Sequence, residues 1–213
     1  HDCIRKEAKD TLSFFEKAGV EIRILSGDNP MTVSRVAQLA GLKNGDLYID
    51  ATTLPEDEIE LQNIVKHYRV FGRVKPEQKQ QIIKACQLQG LVVGMVGDGV
   101  NDVLALKDAD CGIAMAAGSD AAKQAAHIVL LDSNFASMKA IVNEGRAIIA
   151  DIERVSSLYL TKTIYSTVLC LIFAALKMSY PFTPLQLSLI SGLAIGIPSF
   201  LLTLERSSQL SSQ

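Results

Sequence analysis

A chain of 213 residues, 48% of them hydrophobic, is long enough for one ordinary domain with a sizeable core plus an appendage. Its formal net charge of −2 offers no basic field, so nucleic acid is not expected among its partners. Four scattered cysteines (Cys3, Cys86, Cys111, Cys170) form no CxxC pair and read as reduced, mostly buried small hydrophobes, which argues against a disulfide framework or a thiolate metal site.

The elements alternate through the first two thirds of the chain. Residues 5–18 carry Ala8, Leu12 and Phe15 at helical spacing, and Gly19 ends the helix as a left-handed cap would. A short strand over 21–25 runs into Ser26-Gly27-Asp28. A helix over 30–40 begins at Pro30 and stops at Gly41. Further helices are predicted over 54–68, 76–88 and 102–108, with strands over 70–72, 91–96, 111–115 and 128–131. The unbroken apolar run of 91–96 predicts a strand buried on both faces. Strands alternating with helices predict an α/β fold, a doubly wound parallel sheet covered on both sides. Ligands of such sheets sit outside the carboxyl ends of the strands. Both Ser26-Gly27-Asp28 and residues 97–102 lie at such ends.

The character changes after residue 135. One long helical pattern covers 135–155, followed by a mostly apolar run over 158–176 that is interrupted by Lys162. Residues 177–184 form a turn with Pro181 and Pro184, and residues 185–204 contain no charge. Twenty such residues cross the hydrocarbon core of a bilayer, so the two runs predict a transmembrane helical hairpin. A lysine deep in lipid costs about 2.5–3.5 kcal/mol, but Lys162 lies near the start of its run, where it can snorkel. A buried helical hairpin in a soluble protein is the alternative. Pro198 is expected to break the second helix and free carbonyls.

Three segments carry the chemistry. Asp98 and Asp102 stand four apart among glycines at a strand end, with Asn101 between them. Such an acid pair suits Mg²⁺, which takes one or two carboxylates, keeps waters and binds substrate phosphates. An Asx-rich turn capping the next helix is the plainer reading. At another strand end, the hydroxyl of Ser26 and the backbone of Gly27 and Asp28 suit a phosphate, although an N-cap would look the same. Arg73 and Lys79 flank the start of the helix over 76–88. Lys79 lies in its first turn, where a cation is unfavourable unless an anion is nearby; a solvated surface lysine is the alternative.

Taken together in this order, the segments resemble the haloacid dehalogenase superfamily, and most closely the P-type ATPases that form an aspartyl-phosphate. "SGDNPMTVSRVAQLAGL" looks like their TGD segment, "GRVKPEQKQQII" like their R-x-x-P-x-x-K segment, and "MVGDGVNDVLALKDADCGIAM" like their hinge motif. "ASMKAIVNEGRAIIADIERV" is similar to the helix leading into their fifth membrane span. The resemblance implies a haloacid dehalogenase-like, Rossmann-like fold: a partial phosphorylation domain over 1–134, a stalk helix over 135–157, two transmembrane helices over 158–204 and a cytoplasmic tail over 205–213. It implies ATP as substrate and Mg²⁺ as cofactor. Asp98 and Asp102 would serve the metal, and Asn101 the phosphoryl and metal environment. Lys79 would neutralise phosphoryl oxygens, while Ser26 and Gly27 hydrogen-bond the phosphoryl group. Asp28 and Arg73 would contact nucleotide.

No D-K-T-G-T motif, which bears the family's phosphorylated aspartate, occurs in this sequence. The resemblance therefore implies a fragment of an ATP-driven cation pump, consistent with a first residue His1 rather than Met, and inactive alone. Its implied partners are the lipid bilayer, a transported cation, and the remainder of the pump with its nucleotide-binding and actuator domains and other spans. The implied location is an integral membrane protein, in the plasma membrane, with the soluble domain cytoplasmic and Arg146, Arg154 and Arg206 on the inner side. A membrane-anchored phosphatase of the same superfamily and a catalytically inert interaction module are the alternatives. The phosphatase needs a nucleophilic Asp on an N-terminal strand, and neither Asp2 nor Asp10 follows an apolar run. Residues 185–204 contain no Asp, Glu or Asn, whereas calcium-type and sodium-type pumps carry acids and amides in the corresponding span. That difference argues against those ions.

Overall fold

The structure, a computed structural model, describes residues 6–201. Two compact units divide it, His1–Ala140 and Ile141–Gln213.

In the first unit, helix α1 (Lys6–Lys17) turns Phe15 inward and stops where Gly19 takes φ +79°, a conformation that costs glycine little. Strand β1 (Ile24–Leu25), helix α2 (Pro30–Leu39), strand β2 (Tyr48–Asp50), helix α3 (Glu58–His67) and strand β3 (Val70–Gly72) follow. They assemble a parallel sheet of order β1-β3-β2, with Val70 opposite both Ile24 and Tyr48. Every residue of the central strand β3 is buried. Helix α4 (Pro76–Leu88) packs Ile82, Ala85 and Cys86 against Phe71, Leu61 and Val65, which forms the larger core cluster. Burial pushes the Cys86 thiol pKa up, so this cysteine is an inert part of the packing.

A second parallel sheet consists of β4 (Gly94–Gly97), β5 (Cys111–Met115) and β6 (Ile128–Leu130), in the order β4-β5-β6. Helix α5 (Val103–Asp108) buries Ala105 and Leu106, and helix α6 (Asp120–Ala125) buries Ala122, in two adjoining clusters that share Met95 of β4. The parallel α/β architecture is as the sequence predicts, but it comes as two three-stranded sheets. β1 ends one of them and β4 the other, each hydrogen-bonded to a single neighbouring strand.

The strand expected over 91–96 differs accordingly. It begins only at Gly94; Leu91 and Val92 ahead of it are 41% and 87% exposed, while Val93 and Met95 pack half-buried against the core. The run has the composition of a central strand but occupies an edge, so nothing covers its open flank. β2 and α6 escape a reading of periodicity because they are short. β2 has three residues, and six-residue α6 is fixed by its cap, where Ser119 Oγ accepts from Ala122 N–H.

The second unit contains most of helix α7 (Met138–Ala175) and helix α8 (Pro184–Ser191). α8 passes into a π-helical turn over Gly192–Gly196 and continues helical to Leu201. Two helical stretches, Phe135–Ala175 and Pro184–Leu201, are long and apolar enough to cross a membrane. Pro198 does not break the helix as expected. The chain accommodates it by widening one turn upstream, where Ile197 N–H donates to the Gly192 carbonyl five residues back. Arg206 and the tail over 205–213 lie outside the described residues.

Candidate functional site

The loop after β1 is shaped by local hydrogen bonds. Ser26 Oγ donates to Asp28 Oδ2 and accepts from Asp28 N–H, both at 3.1 Å. Asn29 Oδ1 then accepts from Met31 N–H and caps α2. Pro30 opens that helix against Gly72 so closely that a Cβ on Gly72 would stand 2.3 Å from the Pro30 Cα. The glycine ending β3 is therefore required by packing. Two backbone bonds tie the neighbouring loops together, Arg73 N–H to Asp28 O at 2.8 Å and Val74 N–H to Ser26 O at 2.9 Å. Arg73 sits at φ +55°, uncommon for a residue with a side chain. Ser26, Gly27, Asp28 and Arg73, separated by 45 residues in sequence numbering, thus share one end of the first sheet.

The second group forms at the carboxyl end of β4. Lys79, in the first turn of α4, donates from Nζ to Asp102 Oδ1 at 2.6 Å. Both side chains are nearly buried, at 12% and 10% exposure. The anion that a first-turn lysine requires is therefore Asp102. The other oxygen, Asp102 Oδ2, accepts from Gly99 N–H at 3.2 Å. Gly97 leaves room for this carboxylate, since a Cβ there would come within 2.7 Å of the Asp102 Cβ. Asp102 is thus engaged by Lys79 and the loop, while Asp98 and Asn101 are exposed.

Asp98 lines a cavity of about 300 Å³ together with Glu7, Thr11, Met115, Ser133 and Asn134. The loop after β5 pins the backbone at this point: Ser119 N–H donates to Asp98 O at 2.8 Å, and a Cβ on Gly118 would meet that oxygen at 2.5 Å. Among the described residues no cluster of three or more His, Cys, Asp or Glu side chains is positioned to hold a metal ion. The donors present fit an ion that takes one carboxylate and completes its shell with water and phosphoryl oxygens, as Mg²⁺ does.

Sequence reasoning did not single out Asp50, Gly118 or Glu7. Asp50 Oδ2 accepts from Arg73 Nη1 at 2.8 Å. Hydrogen bonds from Thr52, together with the Arg73 guanidinium, hold the Asp50 carboxyl below its ordinary pKa. Its only sequence signal was an acid before Ala-Thr-Thr.

An α/β domain of this geometry has recognisable kin. The family model described as haloacid dehalogenase-like hydrolase matches residues 1–110. The chain belongs to this family. It is 44% identical over 211 residues to the calcium-transporting ATPase CtpE of Mycobacterium bovis, an alignment covering 94% of the chain and 26% of that protein. It is 41% identical to the probable cation-transporting ATPase exp7 of Streptococcus pneumoniae, covering 96% of the chain and 27% of that protein. Among solved structures, a zinc-transporting PIB-type ATPase in an E2.Pi state superposes with a TM-score of 0.66 at 26% identity, over 95% of this chain and 27% of that one. This haloacid dehalogenase-like chain therefore spans about a quarter of the length of the curated relatives it matches. The resemblance to P-type ATPases read from the motifs is borne out across both its units.

Proposed function

We propose that the chain serves as part of an ATP-driven cation-transporting P-type ATPase, contributing the phosphoryl-stabilising half of an aspartyl-phosphate site and two spans of the ion path. The observation that carries this reading is the buried Lys79–Asp102 pair set beside the cavity-lining Asp98, in a chain alignable to cation-transporting ATPases over nearly its whole length. Phosphoryl transfer depends mostly on positioning and charge neutralisation. Lys79, held by Asp102, supplies a fixed cation for phosphoryl oxygens. Ser26 Oγ and the backbone of Gly27 supply hydrogen bonds, and Asn101 adds an exposed amide in the turn after β4. Asp28 and Arg73 face the nucleotide. Asp98 would hold Mg²⁺, which would supply charge neutralisation for the transferring group. Asp102 serves this centre by holding Lys79 and the Gly99 loop.

The nucleophile belongs to a D-K-T-G-T strand, a motif this sequence does not contain. The open flanks of β1 and β4 suit such a strand, because each presents an unpaired edge and the segment leading into β4 exposes Leu91 and Val92. The isolated chain is accordingly inactive. Helices α7 and α8 span the plasma membrane with the first unit cytoplasmic, and the remaining pump domains and spans are its partners. The names of its relatives favour calcium as the cargo. The composition of residues 185–204 then requires the carboxylate ligands for calcium to come from other spans.

The test is incubation of the chain with labelled ATP and Mg²⁺, alone and with a polypeptide bearing the D-K-T-G-T strand supplied in trans. Acid-stable phosphoenzyme is expected only in the mixture and only with Asp98 intact. Turnover by the chain alone, lost in Asp98→Ala, would instead favour the membrane-anchored phosphatase.

A further inference from the structure

Asp50 closes β2, an element that carries none of the motifs above. One carboxylate oxygen, Oδ1, accepts from both the backbone N–H and the hydroxyl of Thr52, at 3.0 and 2.7 Å. The other, Oδ2, faces Arg73 Nη1 at 2.8 Å. Asp50 is therefore fixed by its own turn before it meets the guanidinium. The same turn makes a second link to the same loop. Ala51 O accepts from Gln78 Nε2 at 2.7 Å, and Gln78 Oε1 accepts from Lys75 N–H at 2.9 Å.

The Arg73 backbone is anchored on the opposite side. Its N–H donates to Asp28 O, and the residue sits in the left-handed region. Non-glycine residues in that region are held there by their surroundings and cluster at functional sites. The side chain is nevertheless 52% exposed. An arginine that open to solvent samples many rotamers unless a partner selects one. Asp50, at 25% exposure, is the partner seen in the structure. The pair engages Nη1 and leaves other guanidinium donors available at the rim of the 26–28 loop.

We propose that Asp50 is a positioning residue that aims Arg73 at the phosphate groups of a nucleoside triphosphate bound over the 26–28 loop. This rests on the reading of Arg73 as a nucleotide contact. An exposed ion pair adds little to stability, so its value lies in orientation. The two possible effects of Asp50 have opposite signs. Were it only a nearby negative charge, its removal would tighten the binding of an anion. As a positioning group, its removal weakens binding because the guanidinium is no longer held.

The experiment measures the affinity of the full chain, in detergent, for the magnesium complex of a non-hydrolysable ATP analogue. Asp50→Ala is expected to weaken binding about tenfold, the scale of one ordered charge-assisted hydrogen bond. Asp50→Asn, which keeps an acceptor oxygen for the guanidinium, should recover most of that loss. Asp50→Ala combined with Arg73→Ala should bind no worse than Arg73→Ala alone, and the circular dichroism spectrum of each variant at the assay temperature should match that of the parent chain. Unchanged or tighter binding by Asp50→Ala, or additive losses in the double variant, overturns the positioning role while leaving Arg73 as a contact. Equal binding by Arg73→Ala and the parent chain, or no binding by the parent chain, overturns the nucleotide reading of Arg73 and this inference with it.

Discussion

Lys79 and Asp102 form a short ion pair, 2.6 Å between Nζ and Oδ1, with nearly all of both side chains removed from water. Two elements separated in sequence, α4 and the turn after β4, meet through it. Breaking a buried pair from one side leaves an uncompensated charge and costs about 3–5 kcal/mol. Asp102→Ala and Lys79→Met should each lower the thermal unfolding midpoint of the chain sharply. Replacing both partners together should be much milder, because no buried charge remains. Circular dichroism melting of the three variants checks this, and it fails if Asp102→Ala melts no lower than Asp98→Ala, a change at an exposed side chain.

Glycines around the site divide into those that packing requires and those it does not. A Cβ on Gly72 would overlap Pro30, and one on Gly118 would overlap the Asp98 backbone. Nothing stands within 4 Å of the corresponding position on Gly27. Gly72→Ala and Gly118→Ala should therefore each destabilise the first unit by about 1–3 kcal/mol, the usual cost of overpacking. Gly27→Ala should leave stability unchanged. Chemical denaturation of the three variants distinguishes them. Equal midpoints would contradict the close approaches.

The carboxyls of Asp50, Asp108 and Asp132 are held below the ordinary value of 3.8, first by hydrogen bonds from Thr52, Gln80 and Ser137 respectively. The folded chain therefore binds protons at these sites less readily than the unfolded one. Stability from these bonds is complete above the ordinary carboxylate range and is lost as pH falls through the lower folded values. The fold should hold steady from neutrality down to about pH 5 and weaken progressively below about pH 4. Asp108→Asn should flatten part of that acid limb. Stability measured against pH would contradict this if it rose on acidification below pH 4.

In the second unit, Lys162 on α7 donates to Ser191 Oγ on α8 at 2.5 Å, and Ser191 in turn donates to the Leu187 carbonyl. The lysine thus finds a partner on the neighbouring helix, an alternative to reaching for the surface. Hydrogen bonds between helices in a bilayer contribute about 0.6 kcal/mol on average and up to about 1.7. Ser191→Ala should weaken association of the two helices by that order. Ser188→Ala should be neutral, since Ser188 bonds only the Pro184 carbonyl of its own helix in the contacts seen here. Unfolding of the chain from bilayers or micelles compares the two. Identical behaviour would remove the role given to the Lys162–Ser191 bond.

Much of this protein is legible in the order of its residues. Val70–Gly72, Pro76–Leu88 and Cys111–Met115 match their predicted strand, helix and strand, because uniform apolar runs and a proline at a helix start are local signals. The motif residues Ser26, Asp28, Arg73, Lys79, Asp98 and Asp102 are likewise visible, since glycine-rich turns after apolar runs place them at strand ends. Gln186, the amide of the second apolar run, is spent on a capping box with Thr183.

Tertiary structure alone decided how those residues divide. Whether Asp102 meets a cation or open solvent depends on α4 lying beside the β4 turn, a contact between residues 23 apart. Asp50 reaches Arg73 only because β2 pairs with β3 in the register that sets Asp50 opposite Gly72. The run over 91–96 has the hydrophobicity of a central strand, yet β4 pairs on one side alone and Leu91 and Val92 ahead of it stay exposed. Composition and spacing record what each segment prefers by itself. Pairing, register and the neutralisation of a buried charge are relations between distant segments, and they become definite only when the chain closes on itself.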